Sequence, residues 1–232
     1  AEALKVIADD NDFLEVKAAY APEMVTGFIR LDGVTIGAVA NRTEILPDED
    51  SEGKKFDAVL TAAGCEKAAE FVNFCDAFEI PVLSLTNVTG YEATVASEKV
   101  IAKAAAKLTA AFASASVPKV NVVIGKAFGT AANVMNSKAI GADITMAWPN
   151  AQIGTMDSKL AAKIMYQGQG SDVIDQKAKE YEELTLNVTS AARRGYVDQI
   201  VEPADTRKYV IGAFEMLFTK RDDRPGKKHG TV

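Results

Sequence analysis

The sequence predicts an α/β protein built around a parallel sheet, and three observations carry that expectation. A strand–loop–helix pattern occurs twice, apolar residues recur at helical spacing between strands, and an Asp-Gly pair joins two alternating runs near the start. Strand–loop–helix units in series imply right-handed crossovers between parallel neighbours.

In chain order, "VTGFIRLDGVTIGAVAN" reads as two strands joined at Asp32-Gly33. Both central residues of so tight a hairpin need positive φ, which Asp and Gly tolerate. The whole first quarter is expected to be β. After the acidic loop "LPDEDSEGKK", the run "GCEKAAEFVNFCDAFEI" places Ala68, Phe71, Val72, Cys75 and Phe78 at helical spacing. "IPVLSLTNVTGY" and "VPKVNVVIGKAFG" each open on a β-branched residue and Pro, where the missing N–H falls outside the ladder. Each then runs through an apolar strand into a loop pairing Gly with an aromatic residue. Helices are expected to follow, from Ala96 to Ala115 and from Thr130 to Lys138. "ADITMAWP" is a further short strand closed by Pro149. Three more helices are expected near Asp157–Tyr166, Ser171–Arg194 and Pro203–Lys220, with a strand "VDQIV" between the last two. Residues 221–232 read as a basic tail without periodicity. No composition shift marks a linker, so residues 1–232 read as one domain.

The 232 residues are 48% hydrophobic and 25% charged, an ordinary balance for a soluble globular chain. A formal charge of −6 argues against long-range attraction to nucleic acid or anionic lipid. Val100 to Val117 is mostly apolar, but Lys103 and Lys107 give it a wet face, so no membrane-spanning segment is expected. No signal peptide is read, and the first residue is Ala rather than Met, which points to processing or trimming. Cys65 and Cys75 lie ten apart, fit no C-x-x-C pattern, and are expected on one helix as small apolar residues. A reducing cytoplasm is the expected compartment. N-x-T triplets at Asn41, Asn87 and Asn187 mean little without evidence of secretion.

Much side-chain chemistry is excluded by count. The single histidine, His229, sits in the charged tail, where nothing would orient it for nucleophilic catalysis, and zinc sites of His and Cys lack ligands. "GQGSDV" begins like a dinucleotide loop but lacks the third Gly and follows a helix. No G-x-x-x-x-G-K-S/T occurs. What remains is backbone. Gly129, Thr130 and Ala131 sit where a helix opens after a strand, so their N–H groups could receive a developing negative charge. The competing reading is that small residues there serve only close helix–sheet packing.

The chain resembles the C-terminal half of the carboxyltransferase subunits of biotin-dependent acyl-CoA carboxylases and decarboxylases, of the propionyl-CoA carboxylase and methylmalonyl-CoA decarboxylase type. The phrases that carry the likeness are "IADDNDFLEVKAAYAPEMVTGFIRLDG", "IGAVAN", "KAAEFVNFCDAFEIPVLSLTNVTGY", "SVPKVNVVIGKAFGTAANVMNSKAIGADITMAWPNAQIG" and "RPGKKHG". The resemblance implies a crotonase-type spiral of repeated ββα units. It also implies biotin, presented by a biotin carboxyl carrier protein, and an acyl-CoA substrate. An acyl-CoA-binding N-terminal half would lie on a separate or removed chain, with a homo-oligomer completing the site across subunits. By the same resemblance, Thr130 and Ala131 would stabilise charge on the biotin oxygen through their N–H groups, with Gly129 beside them. Gly90, Tyr91, Thr94, Phe128 and Asn133 would line the biotin and acyl site.

Two stretches depart from the family pattern. K-A-Y-G-G-A is here Lys126-Ala127-Phe128-Gly129-Thr130-Ala131, and a positive φ at Thr130 would be strained by its branched side chain. D-V-P-G-F-x-P-G is here Asn87-Val88-Thr89-Gly90-Tyr91-Glu92-Ala93-Thr94. Two alternatives stand beside the carboxyltransferase reading. One is a crotonase-fold hydratase or isomerase using Glu92 or Glu98, both expected to be solvated; the other is a non-catalytic assembly module.

Overall fold

The computed structural model describes residues 1–47 and 52–222. In chain order, the first elements are α1 (Glu2–Ile7), β1 (Phe13–Glu15), β2 (Met24–Leu31) and β3 (Val34–Asn41). Then come β4 (Glu44–Ile45), β5 (Lys54–Lys55), β6 (Val59–Leu60), α2 (Ala62–Ala77), β7 (Val82–Val88) and β8 (Gly90–Tyr91). The middle holds α3 (Val95–Glu98), α4 (Ile101–Ser114), β9 (Lys119–Phe128), α5 (Gly129–Val134), β10 (Ile144–Ala147) and β11 (Gln152–Gly154). The remainder is α6 (Ser158–Met165), α7 (Ser171–Tyr181), α8 (Val188–Arg193), β12 (Gln199–Ile200) and α9 (Thr206–Leu217).

Among the described residues, eight strands form one sheet in the order β1-β2-β3-β7-β9-β10-β12, with β11 extending the far end of β9. The β1–β2 and β2–β3 pairs are antiparallel, and every pairing from β3 through β12 is parallel. The expected hairpin closes at Asp32 and Gly33, with φ of 52° and 77°. Pro81 and Pro118 stand just before β7 and β9. Each offers its carbonyl to a neighbouring strand, Pro81 to the Gly37 N–H and Pro118 to the Val82 N–H, both at 2.8 Å.

Alternation along β7 sorts the core. Leu83 and Leu85 pack with Val120, Val122, Leu4 and Val210 on the α1 and α9 face. Val82 and Val88 join Val72, Leu108 and Phe112 on the α2 and α4 face. Each large side chain buried in this way contributes about 1.5–3 kcal/mol relative to exposure. Cys65 and Cys75 both lie on α2, buried and free, and burial pushes both thiols up to about 12.

Several expected elements differ. The first quarter is not wholly β, because Leu4 and Ile7 bury one side of the short α1. The helix expected over Ala96–Ala115 is two: Thr94 caps α3, and α4 restarts after Val100. The long helix expected over Ser171–Arg194 breaks at Asn187, whose extended backbone ends a π-turn and whose Oδ1 accepts the Ser190 N–H at 2.8 Å to cap α8. The last helix begins at Thr206, after a 3-10 turn over Pro203–Asp205. The strand expected as "VDQIV" narrows to Gln199–Ile200. Of the basic tail, Lys227, Lys228 and His229 lie outside the described residues, as does part of the acidic loop.

The Asp9 carboxylate joins three distant segments. It accepts the N–H of Gly33 at 2.8 Å and of Asp32 at 3.1 Å, and pairs with Arg207 of α9. The Gly33 N–H first, then Arg207, hold this carboxyl below the usual carboxylate range. A depressed folded-state pKa contributes stability above the unfolded value, about 3.9, that is lost as pH falls through the folded value. Asp9→Ala is therefore expected to lower stability at pH 7 on the order of 1 kcal/mol. The gap from wild type should close on acidification below pH of about 4, as read from urea midpoints across a pH series.

Candidate functional site

Strands β7 and β9 run side by side, Val82 opposite Lys119 through Thr86 opposite Val123, and carry the candidate residues beyond their carboxyl ends. Each strand end is fixed differently. After β7, the Thr89 N–H donates to the Ala58 carbonyl at 2.7 Å, and Gly90 and Tyr91 pair in parallel with Val59 and Leu60. Thr94 then accepts the Ser97 N–H at 3.1 Å, so its hydroxyl caps α3. Gly90 has open space where a Cβ would stand and no positive φ, so neither crowding nor backbone demands glycine there.

Strand β9 continues two residues past Lys126, to Phe128, and the turn into α5 falls at Gly129. Its φ of +61° is a conformation that branched side chains avoid, and a Cβ would lie 3.1 Å from the Thr155 carbonyl. The strain feared at Thr130 is thus absent, because the left-handed residue is the glycine before it. No side chain caps α5, which leaves its first-turn N–H groups without a side-chain acceptor. The helix is shorter than expected, ending at Val134 rather than Lys138, so the bare N–H groups matter here more than any helix dipole. Thr130 and Asn133 are exposed, Gly129 is half-buried, and Ala131 is buried.

Polar side chains between the strands hold α5 from beneath. Thr86 Oγ1 lies within donating distance of Asn121 Oδ1 at 2.9 Å and of the Met135 carbonyl at 3.3 Å, its one proton serving either, and Asn136, at φ +57°, donates to Ser84 Oγ at 3.0 Å. Across the top, α5 packs against β8, with the Thr130 hydroxyl facing the Tyr91 phenol. Burial raises the Tyr91 phenol above its ordinary value, and the nearby Thr130 hydroxyl opposes that rise. Phe128 is 2% exposed and therefore core, with Lys126 Nζ 5.9 Å above its ring.

The structure brings Gly129, Thr130, Ala131 and Tyr91 together, with Gly90 beside Tyr91 and Asn133 on the same short helix. Thr94 and Phe128 have structural places as a cap and a core side chain. Glu98 is exposed as expected, whereas Glu92 is half-buried and lines a groove of about 600 Å³ with Glu23, Thr61 and Ser97. That groove is not lined by Gly129, Thr130 or Ala131. Sequence reasoning gave Asn41 and Asn87 no structural role, reading both as N-x-T triplets and Asn87 also as a departure from the family's Asp. Asn41 is buried, and its amide pairs with both backbone groups of Asn87.

Against known proteins, the chain matches the carboxyl transferase domain family over residues 1–232. The chain belongs to that family. It is 43% identical over 242 residues to the propionyl-CoA carboxylase beta chain of Saccharopolyspora erythraea, an alignment covering 100% of this chain and 42% of that one. It is 38% identical over 236 residues to the methylmalonyl-CoA carboxyltransferase 12S subunit of Propionibacterium freudenreichii subsp. shermanii, covering 99% and 43%. Among solved structures, transcarboxylase 12S, described as a hexamer with methylmalonyl-coenzyme A bound, superposes with a TM-score of 0.88 at 40% identity, covering 98% of this chain and 43% of that one. The beta subunit of P. aeruginosa geranyl-CoA carboxylase shares the fold, with a TM-score of 0.79 at 23% identity and coverage of 100% and 44%. The fold is the crotonase-type α/β spiral. The chain spans under half the length of these relatives.

The nearness of Thr130 to Tyr91 gives a direct test of how the two loops meet. Thr130→Ala removes the hydroxyl that opposes the rise, so Tyr91 should titrate at a still higher pH. Carbon-13 tyrosine NMR, assigned with Tyr91→Phe, reads that shift, and an unchanged titration would show that the loops are not joined there.

Proposed function

We propose that this chain is the biotin-side domain of an acyl-CoA carboxyltransferase, acting as one unit over residues 1–232. The observation that carries the reading is the turn at Gly129–Ala131. A member of the carboxyl transferase domain family here presents helix-start backbone N–H groups with no side-chain cap at a strand end, with an exposed Thr130 and the half-buried Tyr91 beside them. Such donors suit an oxygen that gains charge only during reaction, and one preorganised donor of this kind lowers a barrier by about 3 kcal/mol.

The residues present fit biotin in chemistry. A neutral ureido oxygen needs hydrogen-bond donors, and Thr130 and Ala131 offer two from the main chain. When bound, carboxybiotin on its carrier protein would supply the carboxyl group, and its ring would supply a base. Thr130 and Ala131 hold the ureido oxygen and favour its negative charge. Gly129 allows the chain to turn there without a side chain in the way. Tyr91, beside Thr130, narrows the approach from β8, and Asn133 stands where an acyl group would enter.

The site is open on one side, which supports a missing surface. Thr130 and Asn133 are exposed, and α6, beginning three residues past Thr155, leaves Leu160, Ile164 and Met165 more than half exposed. A water-filled site weakens each hydrogen bond to the charged oxygen. An acyl-CoA-binding half, from a neighbouring subunit of a homo-oligomer in the cytoplasm, would exclude that water.

The test is biotin-dependent decarboxylation of malonyl-CoA and methylmalonyl-CoA, by this chain alone and with an acyl-CoA-binding half restored. Activity is expected only with the restored half. In that assembly Gly129→Val should lower kcat about 10²-fold, the range seen when one oxyanion donor is lost, with KM for acyl-CoA little changed. A correctly assembled but inactive wild type would favour the assembly-module reading, and biotin-independent hydration of crotonyl-CoA would favour a hydratase.

A further inference from the structure

We infer that Asn41 and Asn87 are positioning residues that set the spacing between the two loops of the site; the inference deepens the carboxyltransferase reading and rests on it.

Strands β3 and β7 pair in regular parallel register from Gly37 opposite Val82 to Ala40 opposite Leu85. One step later the pairing changes character. The Asn41 side chain takes over the role of a strand: its Nδ2 donates to the Asn87 carbonyl, and its Oδ1 accepts the Asn87 N–H at 2.8 Å. A primary amide presents one donor and one acceptor side by side, as a peptide does, so it can satisfy both backbone groups of a single residue. Asn41 is 8% exposed, which shields this pair from competing water.

Asn87 is also where the β7–β9 pairing loses register. Thr86 faces Val123, but Val88 faces Ala127, so one residue of β7 is set against three of β9. The Asn87 side chain fills the mismatch by accepting the Lys126 N–H on Oδ1 at 2.9 Å. Gly125 makes the room, since a Cβ there would stand 2.5 Å from that same oxygen. Asn87 therefore spends its backbone on β3 and its side chain on β9. It is the one described residue joined by hydrogen bonds at once to Asn41 and to Lys126.

Its place in the chain gives this joint a purpose. Gly90 follows Asn87 by three residues, and Gly129 follows Lys126 by three. The β7–β9 ladder ends at Val88 and Ala127, one residue further on, so this amide joint sets the register of the last pair before the loops part. A shift of Asn87 by an ångström moves Tyr91 against Thr130, and with them the N–H groups that face the substrate. Misplacement on that scale costs on the order of 10²-fold in rate when the reacting geometry is exacting.

The experiment uses this chain assembled with its acyl-CoA-binding half, and four variants. Asn87→Ala and Asn41→Ala should each lower kcat at least about tenfold while KM for acyl-CoA stays within about twofold. Asn87→Asp keeps the backbone pair and an acceptor for Lys126, and should recover most of kcat. Gly125→Ala leaves both amides in place but pushes on Asn87 Oδ1, and should repeat the loss; it covers the case in which an alanine variant does not fold. Amide hydrogen exchange on the chain gives a readout that needs no catalysis. Exchange should quicken together at residues 90–91 and 129–131 in Asn87→Ala, and return in Asn87→Asp.

Exchange confined to the substituted residue, full kcat in folded Gly125→Ala, or failure of Asn87→Asp to rescue would each overturn the inference. An inactive wild type that still shows the coupled exchange would remove the carboxyltransferase reading and leave the loop coupling standing.

Discussion

The parallel pairing of β7 with β9 is the constraint on which the rest depends. Parallel neighbours end at the same level, so whatever follows them emerges on one edge of the sheet. Here that edge carries Gly90–Tyr91 from one strand and Gly129–Ala131 from the other. The face beneath is polar where the two strands meet, because Ser84, Thr86 and Asn121 are buried and hydrogen-bonded to one another. Buried polar groups of this kind are costly when unpaired, so they favour a single arrangement of the strands and of the α5 turn that they hold. Packing on the α4 side and hydrogen bonding on the α5 side thus fix the same two strands.

A site made of main-chain N–H groups has a different sensitivity from one made of side chains. Its donors cannot be removed by ordinary substitution, yet they can be misaimed by any change that rotates the peptide. In the site proposed above, Gly129 would matter for that reason: its φ of +61° orients the chain that carries the next two N–H groups, although it has no side chain to offer. Thr130 is then free to carry a side chain, and its hydroxyl reaches Tyr91. The two departures from the family pattern at these positions, a hydroxyl on each loop, stand close to one another.

Much of this was legible in the residues. The hairpin was readable because Asp32-Gly33 answers a local need for positive φ, and the two Pro-led strands because proline cannot sit inside a ladder. The α5 start was readable from small residues after a strand. What escaped was governed by distant partners. Asn187 looked like the interior of one long helix because its neighbours keep helical spacing, and only its own cap bond to Ser190 shows the break. Asn41 and Asn87 looked alike as N-x-T triplets, and nothing local tells that one amide would close on the other's backbone across 46 residues. Glu92 looked like a solvated loop residue because the groove it lines is shared with Glu23 and Thr61, far earlier in the chain.

The link between Asp9 and Arg207 has a bearing on how the molecule reaches this arrangement. The two residues are separated by 198 positions, and the carboxylate that seals the first hairpin also receives the last long helix. A contact that closes so large a loop forms late, since the entropy of closure opposes it until the intervening chain has condensed. During synthesis the hairpin leaves the ribosome long before α9 exists, and the apolar cluster that β2 and β3 share with α9 must wait without it. The order of appearance along the chain is thus opposed to the order in which that face is sealed. This places the period of greatest vulnerability to aggregation between the first strand pair and the final helix.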